Sequence, residues 1–329
     1  MNFPSADQAD NDLLNSLGHL QSLLPATDTG MLEHLLEALP ERGNDRLIAP
    51  IVYAWYREFT LENLPQAKSA GLVKVGTHRL GAGWPNWANS TRTRGEIEIV
   101  TPHHGASPYT AEGLSLLLNE GSSGLLKVEA PSDEQLLNFQ VKVGDALELF
   151  NTVAPMQYTA WRNAMRMIVA VVERRDSDIS LAGGSSLFLP GVMVVNVTYC
   201  TDTLETLATL VHEAAHVQLN SLCSHEPLCF NAADKVFNSP LRRDARPMEG
   251  VIHANYVCAV LAELFLRISQ SPNHTEPPEQ ALKIAQDHYR PLALQVAQIR
   301  EYAKLSTAGK DVLGWLQAVV ETCGELTID

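Results

Sequence analysis

The chain is poor in cysteine and in basic residues, and each shortage excludes a class of protein. Its 329 residues contain five cysteines, and 24 Lys and Arg stand against 38 Asp and Glu, which gives a formal net charge of −14. Five cysteines are sparse and odd in number, so we expect reduced thiols rather than a disulfide framework. The acidic balance disfavours a nucleic-acid-binding surface, because phosphate backbones bind clustered Lys and Arg.

Long hydrophobic runs, internal repeats and low-complexity tracts are also lacking. No stretch approaches the roughly 18 consecutive apolar residues that span a membrane, so we expect no membrane association. The first basic residue is Arg42, and Asp7, Asp10 and Asp12 interrupt the beginning of the chain. A secretory signal is therefore not predicted, and we expect a cytoplasmic protein. A composition of 45% hydrophobic and 19% charged residues is typical of a globular domain.

Hydrophobic periodicity predicts helices at both ends of the chain and a sheet between them. The predicted elements are helices at 13–24, 31–39, 47–64 and 132–150, a Gly- and Trp-rich segment at 71–124 with a strand at 96–100, strands at 165–173 and at 187–199 around a Pro190-Gly191 turn, a turn at 183–186, and long helices beyond residue 200. This order indicates an α+β fold that is mostly helical with a small mixed sheet. We predict an N-terminal, mainly helical region at 1–150 and a metal-binding catalytic region at 151–329, which could also form one continuous domain.

The segment His-Glu-Ala-Ala-His at 212–216 carries the strongest chemical signal in the sequence. On a helix, residues four apart share a face, so the imidazoles of His212 and His216 can reach one metal ion. Asp202, followed three residues later by Glu205, predicts the N-terminus of this helix. Apolar residues cover most of the helix, and the remaining polar stripe includes both histidines and Glu213. Polar groups on a buried helix need partners, and a metal ion supplies one.

The third metal ligand must come from elsewhere in the chain. Leu219 and Leu222 occupy the positions at which a metzincin motif would have glycine and histidine, so that class is excluded. His225 is nearer in sequence, but we interpret it as a loop histidine between two reduced cysteines. His253 is the stronger candidate, because Pro247 suits the first position of a strongly apolar helix that carries this histidine near its start.

Several segments together resemble the HExxH-domain proteins encoded beside ribosomally made, post-translationally modified peptides. The resemblance covers roughly residues 185–260 and rests on Pro190-Gly191, Leu210-Val-His-Glu-Ala-Ala-His216, Ser239-Pro-Leu-Arg242, Arg246-Pro-Met-Glu-Gly250 and His253. Leu241 departs from the family, in which an aromatic residue often precedes the first Arg. The resemblance implies an iron(II)- and 2-oxoglutarate-dependent peptide β-hydroxylase on a zincin-like scaffold, with a precursor peptide as its partner.

We predict that His212, His216 and His253 ligate one metal ion. The resemblance implies that this ion is iron(II), with 2-oxoglutarate and O₂ as co-substrates. Three histidines depart from the usual triad of two histidines and one carboxylate, so Glu249 and Asp244 remain alternative ligands. Zinc is expected to be a tight but inhibitory occupant, because it generally outcompetes iron(II) at such sites.

The distal carboxylate of 2-oxoglutarate needs a cationic partner. Arg242, Arg243 and Arg246 lie just before the His253 helix, in a segment that we predict to be a loop. A guanidinium fork binds a carboxylate through two hydrogen bonds. We therefore assign this role first to Arg246 and then to Arg242.

Two other functions are compatible with the motif. In a zinc metallopeptidase, Glu213 would be the general base that activates a zinc-bound water. In a catalytically inactive zincin-like module, the chain would bind peptide and the metal would be structural. A peptidase has little need for the arginine cluster, whereas a hydroxylase has little need for Glu213 as a base.

Overall fold

The structure is a computed structural model that describes residues 10–17, 46–48, 91–93, 97–102, 111–118, 125–186, 190–223 and 226–324. The chain divides into two compact units. The sheet unit comprises residues 4–140 and 162–199, and the helical unit comprises residues 1–3, 141–161 and 200–329. Residue 150, where the sequence analysis divided the chain, lies inside a helix. The helix predicted at 31–39 and residues 49–64 of the helix predicted at 47–64 lie outside the described residues. A helix beginning at residue 47 is wrong, because residues 47 and 48 belong to a short strand that pairs with another segment of the chain.

The sheet unit contains a five-stranded mixed sheet. Its strands are β3 (Glu98–Val100), β4 (Val128–Glu129), β5 (Met167–Glu173), β6 (Gly183–Ser185) and β7 (Val192–Asn196). Strands β3 and β7 pair with β5 in parallel, whereas β4 pairs with β5 and β6 pairs with β7 in antiparallel fashion. A separate antiparallel pair joins β1 (Arg46–Ile48) to β2 (Thr91–Thr93), and the unit also holds helices α1 (10–17) and α2 (Ala111–Leu118).

The two central strands, β5 and β7, confirm the strands that the sequence predicts at 165–173 and at 187–199. All of β7 and the first five residues of β5 are buried, as expected of parallel strands covered on both faces. The turn predicted at 183–186 is wrong, because Gly183–Ser185 forms the edge strand β6. A Cβ at Gly184 would lie 2.7 Å from Cδ2 of Leu118. A larger residue there would require the side chain of Leu118 to shift.

The helical unit contains the end of α3 (Asp133–Val153), most of α4 (Pro155–Ala164), and the elements that follow residue 200. These later elements are α5 (Thr203–Cys223), β8 (Val236–Ser239), β9 (Arg242–Pro247), α6 (Met248–Gln270), α7 (Pro278–Tyr302) and α8 (Thr307–Thr322). Helices α5, α7 and α8 all pack against α6. The predicted α+β class is confirmed, with long helices and a small mixed sheet.

Helix α6 is the central element of the helical unit. Within the part of the chain that the structure describes, it is the one helix long and apolar enough to cross a membrane, yet 67% of its most apolar window is buried inside the protein. Leu261, Phe265 and Ile268 are at most 1% exposed. Each such side chain contributes about 1.5–3 kcal/mol when it leaves water. This burial is typical of a core helix. It holds α6 in one position in the helical unit, and with it the polar residues that α6 carries.

A buried polar network holds the β8–β9 hairpin against helices α6 and α7. Nδ2 of Asn255 donates to Oε1 of Gln295 over 3.0 Å, and Oγ of Ser239 donates to the same oxygen over 3.4 Å. Nε2 of Gln295 donates to the carbonyl oxygen of Asn238 over 3.4 Å. Asn255 and Gln295 are at most 2% exposed. The hairpin is therefore anchored by hydrogen bonds in a region of low dielectric constant, where they are strong.

Candidate metal centre

Helix α5 begins where the sequence predicts. Oδ1 of Asp202 accepts a hydrogen bond from the backbone N of Glu205 over 2.9 Å, which is an N-cap interaction. Oδ2 of Asp202 accepts from Nε2 of Gln280 over 3.0 Å and so ties this end of α5 to α7. His212 and His216 lie one turn apart on one face of α5, and their ring centroids are 5.0 Å apart.

The third predicted histidine, His253, lies beside this pair. It occupies the second turn of α6, and its ring stacks on that of His216 at a centroid distance of 6.3 Å and an interplanar angle of 23°. All three rings line one cavity of about 610 Å³. Its lining also includes Leu241, Arg246, Glu249, Val257 and His288. The structure thus brings together the three histidines that the sequence predicts as ligands.

The imidazoles of His212, His253 and His288 have pKa values below the usual value of a histidine and are neutral near pH 7. Burial lowers the pKa of His253 to about 4, with a smaller contribution from the charge of Arg246. Burial also lowers the pKa of His212 below its usual value, and the neighbouring rings of His216 and His288 act in the same direction. Neutral imidazoles have a free lone pair on one ring nitrogen. The cavity therefore offers metal-binding nitrogens without prior loss of a proton.

Arg246 reaches the cavity from a strand. The loop predicted at 242–246 is wrong, because residues 242–247 form β9 and pair with β8 in antiparallel register. Nη1 of Arg246 donates to the carbonyl oxygen of Gly250 over 3.1 Å, and the half-buried side chain lines the cavity. The side chains of Arg242 and Asp244 lie outside the described residues. Pro247, predicted as the first residue of α6, is its N-cap instead.

Glu213 is placed differently from its neighbours on α5. Its side chain is 5% exposed, and its Oε1 lies 3.9 Å from Nε2 of His212, which is too long for a hydrogen bond. Glu213 is not among the residues that line the cavity. Its carboxylate is therefore buried and close to a predicted ligand without forming part of the cavity wall.

Two groups near the histidines were missed as site residues in the sequence. Cys223 lies at the end of α5, and its Sγ is 3.6 Å from Nε2 of His253. His288, on α7, lines the cavity, and its Nδ1 is 3.9 Å from Sγ of Cys258. Cys223 could have been found, because it follows His216 by seven residues, which is two helical turns. His288 has no comparable spacing signal.

The ligand atoms of the three histidines do not converge as closely as those of a second group. Nitrogen ligands on one tetrahedral ion lie about 3.3 Å apart. Among the described residues, one group of three metal-ligating side chains is more compact. Its members are Cys223, Glu249 and His253, whose ligand atoms all lie within 4.8 Å of one another. At least one of the three histidine rings must therefore move for all three to hold one ion.

Neither a family model nor a curated protein matches the chain. His225, which the sequence analysis ranked behind His253 as a ligand, lies outside the described residues.

Proposed function

We propose that this protein is an iron(II)- and 2-oxoglutarate-dependent oxygenase that hydroxylates a side-chain β-carbon of a ribosomally made precursor peptide. The observation that carries the proposal is the set of residues that line one cavity: the three predicted histidine ligands, a fourth histidine, His288, and Arg246 line it, whereas Glu213 does not. A peptidase of the HExxH type needs a cavity-facing glutamate and has no evident need for the arginine.

The residue types that line the cavity suit the proposed metal and co-substrate, although at least one histidine ring must move for all three to hold the ion. His212, His216 and His253 would hold iron(II) through neutral nitrogens. Three neutral ligands leave the full charge of +2 for a dianionic co-substrate. When bound, iron(II), 2-oxoglutarate and O₂ supply the oxidising chemistry, in which one oxygen atom enters a C–H bond and the other enters succinate as CO₂ is released.

Arg246 is suited to orient the co-substrate. Its guanidinium lines the same cavity as the histidines, and a guanidinium presents its N–H donors in a planar fork that matches a carboxylate. A carboxylate paired with such a group is held in position as well as neutralised. Leu241 and Val257 add apolar surface to the cavity wall. A volume of about 610 Å³ is in the usual range for a small-ligand site.

A zinc metallopeptidase remains the second candidate because of one distance. Oε1 of Glu213 lies 3.9 Å from Nε2 of His212, so a modest side-chain rotation would bring the carboxylate next to a metal-bound water. The burial of Glu213 and its absence from the cavity lining favour the oxygenase.

The deciding experiment compares two metal forms of the full chain. Protein loaded with iron(II) under anaerobic conditions, then given 2-oxoglutarate, O₂ and a precursor peptide, should release succinate. The zinc form should be inactive, because zinc does not activate O₂. Peptide cleavage by the zinc form, with no succinate from the iron form, would establish the peptidase. Bound metal with neither reaction would favour an inactive zincin-like peptide-binding module.

We further propose that the protein works in the cytoplasm, where precursor peptides are made.

A further inference from the structure

A second set of metal-ligating groups lies beside the three histidines. Cys223 at the end of α5, with Glu249 and His253 in the first two turns of α6, forms a group that we call the cysteine set. One ligand atom from each lies within 4.8 Å of the other two. Glu249 and His253 are four residues apart on α6 and so share a face of that helix. Two packed helices thus supply three different ligand types to one point.

The spacing within the cysteine set matches zinc coordination. Zinc binds sulfur at about 2.3 Å and imidazole nitrogen at about 2.0–2.1 Å, so a tetrahedral ion holds these atoms about 3.6 Å apart. The distance between Sγ of Cys223 and Nε2 of His253 is 3.6 Å. A thiolate, an imidazole and a carboxylate are all zinc ligands, and a three-residue set leaves the fourth position open.

His253 belongs to both sets. Its ring centroid is 6.3 Å from that of His216, whereas its Nε2 is already at ligand spacing from the sulfur of Cys223. The two sets lie along one side of α5, because His212, His216 and Cys223 are separated by whole turns of the helix. An ion at the cysteine set therefore leaves His212 and His216 without their third histidine.

We propose that Cys223, Glu249 and His253 form a zinc site that competes with the iron site for His253. Zinc binds as the thiol of Cys223 loses its proton to solvent. The ion then holds the ring of His253 on the Cys223 side of the cavity. Zinc therefore inhibits by removing a ligand from the iron site and not only by filling that site. The zinc site stands on its own geometry, and only its inhibitory effect rests on the proposed function.

The ligands can be identified without any assay of activity. Metal-free full-length protein is loaded with one equivalent of Zn²⁺, and X-ray absorption reports whether a sulfur atom lies at about 2.3 Å from the ion. We expect this sulfur signal in the unmodified protein, in His212→Ala and in the control Cys200→Ser, whose residue precedes the start of α5 and lies outside the set. Cys223→Ser should lose it. Coordination by nitrogen and oxygen alone in the unmodified protein would overturn the proposal.

A second variant and a second metal guard against a misfolded mutant. Glu249→Gln should keep the sulfur signal but bind Zn²⁺ at least about tenfold more weakly. Co²⁺ in the unmodified protein should show thiolate-to-metal charge transfer in the near ultraviolet, and Cys223→Ser with a native circular dichroism spectrum should not. A charge-transfer band that survives in Cys223→Ser would refute the assignment of Cys223.

The two proposals fail in different ways. If the iron form makes no succinate but the sulfur signal is present, the proposed function is wrong and the zinc site stands. If succinate is made, Cys223→Ser should need at least about tenfold more Zn²⁺ for half-inhibition. An unchanged zinc requirement in that variant would overturn the competition for His253 while leaving the oxygenase intact.

Discussion

Nε2 of His253 lies 3.6 Å from Sγ of Cys223, although 30 residues separate them in the chain. The contact joins the end of α5 to the second turn of α6, and the same imidazole stacks on His216. Burial, with the negative charge of Glu249, raises the pKa of the Cys223 thiol to about 12. In the metal-free protein this contact therefore involves a neutral thiol and a neutral imidazole.

Alanine substitution should show which histidines bind iron(II) and which do not. Alanine at His212, His216 or His253 should abolish stoichiometric binding of iron(II), measured by anaerobic equilibrium dialysis, because each change removes one of three ligands. His274→Ala should have no effect, since Nε2 of His274 is held 2.6 Å from the carbonyl oxygen of Ile268. If His288→Ala loses the metal while His253→Ala keeps it, the third ligand is on α7.

Arg246→Ala should raise the apparent requirement for 2-oxoglutarate. Loss of a charge-assisted pair is worth about 1.5–3 kcal/mol, which corresponds to roughly tenfold to a hundredfold in concentration. Arg267→Ala is the matched control, because Arg267 pairs with Glu263 on the exposed side of α6. The measurement is succinate release against co-substrate concentration. Arg242 is the second candidate for binding the distal carboxylate and could replace Arg246. An unchanged requirement for 2-oxoglutarate therefore contradicts the hydroxylase only if it is also found in the variant that lacks both arginines.

Glu213→Gln distinguishes the two enzyme classes. In an oxygenase it should keep the metal and retain part of the succinate production, because oxidative decarboxylation needs no base at that position. In a peptidase the same change should nearly abolish cleavage, since the base that activates water is lost. Succinate and cleaved peptide should therefore be measured on the same preparation, with metal content as the check on folding.

Gln295→Leu should destabilise the helical unit. The change removes a partner of Asn255 and of Ser239 in a nearly solvent-free region, and an unsatisfied buried polar group costs about 1–3 kcal/mol. The free energy of unfolding, measured in urea, should fall by that amount. Gln270→Leu, at an exposed position on α6, should change it by no more than about 0.5 kcal/mol. Equal effects of the two changes would contradict the role assigned to the network.

Gly191→Ala should destabilise the sheet unit. Gly191 has a φ of 77°, and a Cβ there would lie 2.6 Å from Cγ of Arg166 and 2.9 Å from the carbonyl oxygen of Ala164. The left-handed conformation alone costs a non-glycine residue about 1–2 kcal/mol, and the close contacts add to it. Gly144→Ala in α3 should instead stabilise by about 0.5–1 kcal/mol, because its Cβ would meet nothing within 4 Å. Thermal unfolding of both variants checks the opposite signs.

Local features of the sequence were sufficient for much of the fold. The N-cap at Asp202, the helix that carries His212 and His216, and the buried strands around residues 167–173 and 192–196 were all predicted. Each depends on spacing or capping within a few residues of the chain, where helix and strand periodicity act directly. The failures were strand β1, which occupies the start of the helix predicted at 47–64, the β6 strand and the strand that carries Arg246. A strand is stabilised by a partner elsewhere, and the Gly- and Arg-rich segments have no alternation to reveal it.

The sequence by itself determined that two imidazoles share a face of one buried helix, because four residues are close to one helical turn. Only the tertiary structure decided which groups meet them. The packing of α6 on α5 places His253 next to both His216 and Cys223, and α7 brings His288 to the same cavity. Helix periodicity defines which face of a helix is apolar. It does not define the register, which is the position of one helix along the axis of the helix it packs against. That register is set by the interlocking of many side chains, and it is the reason that one histidine can serve two ligand sets.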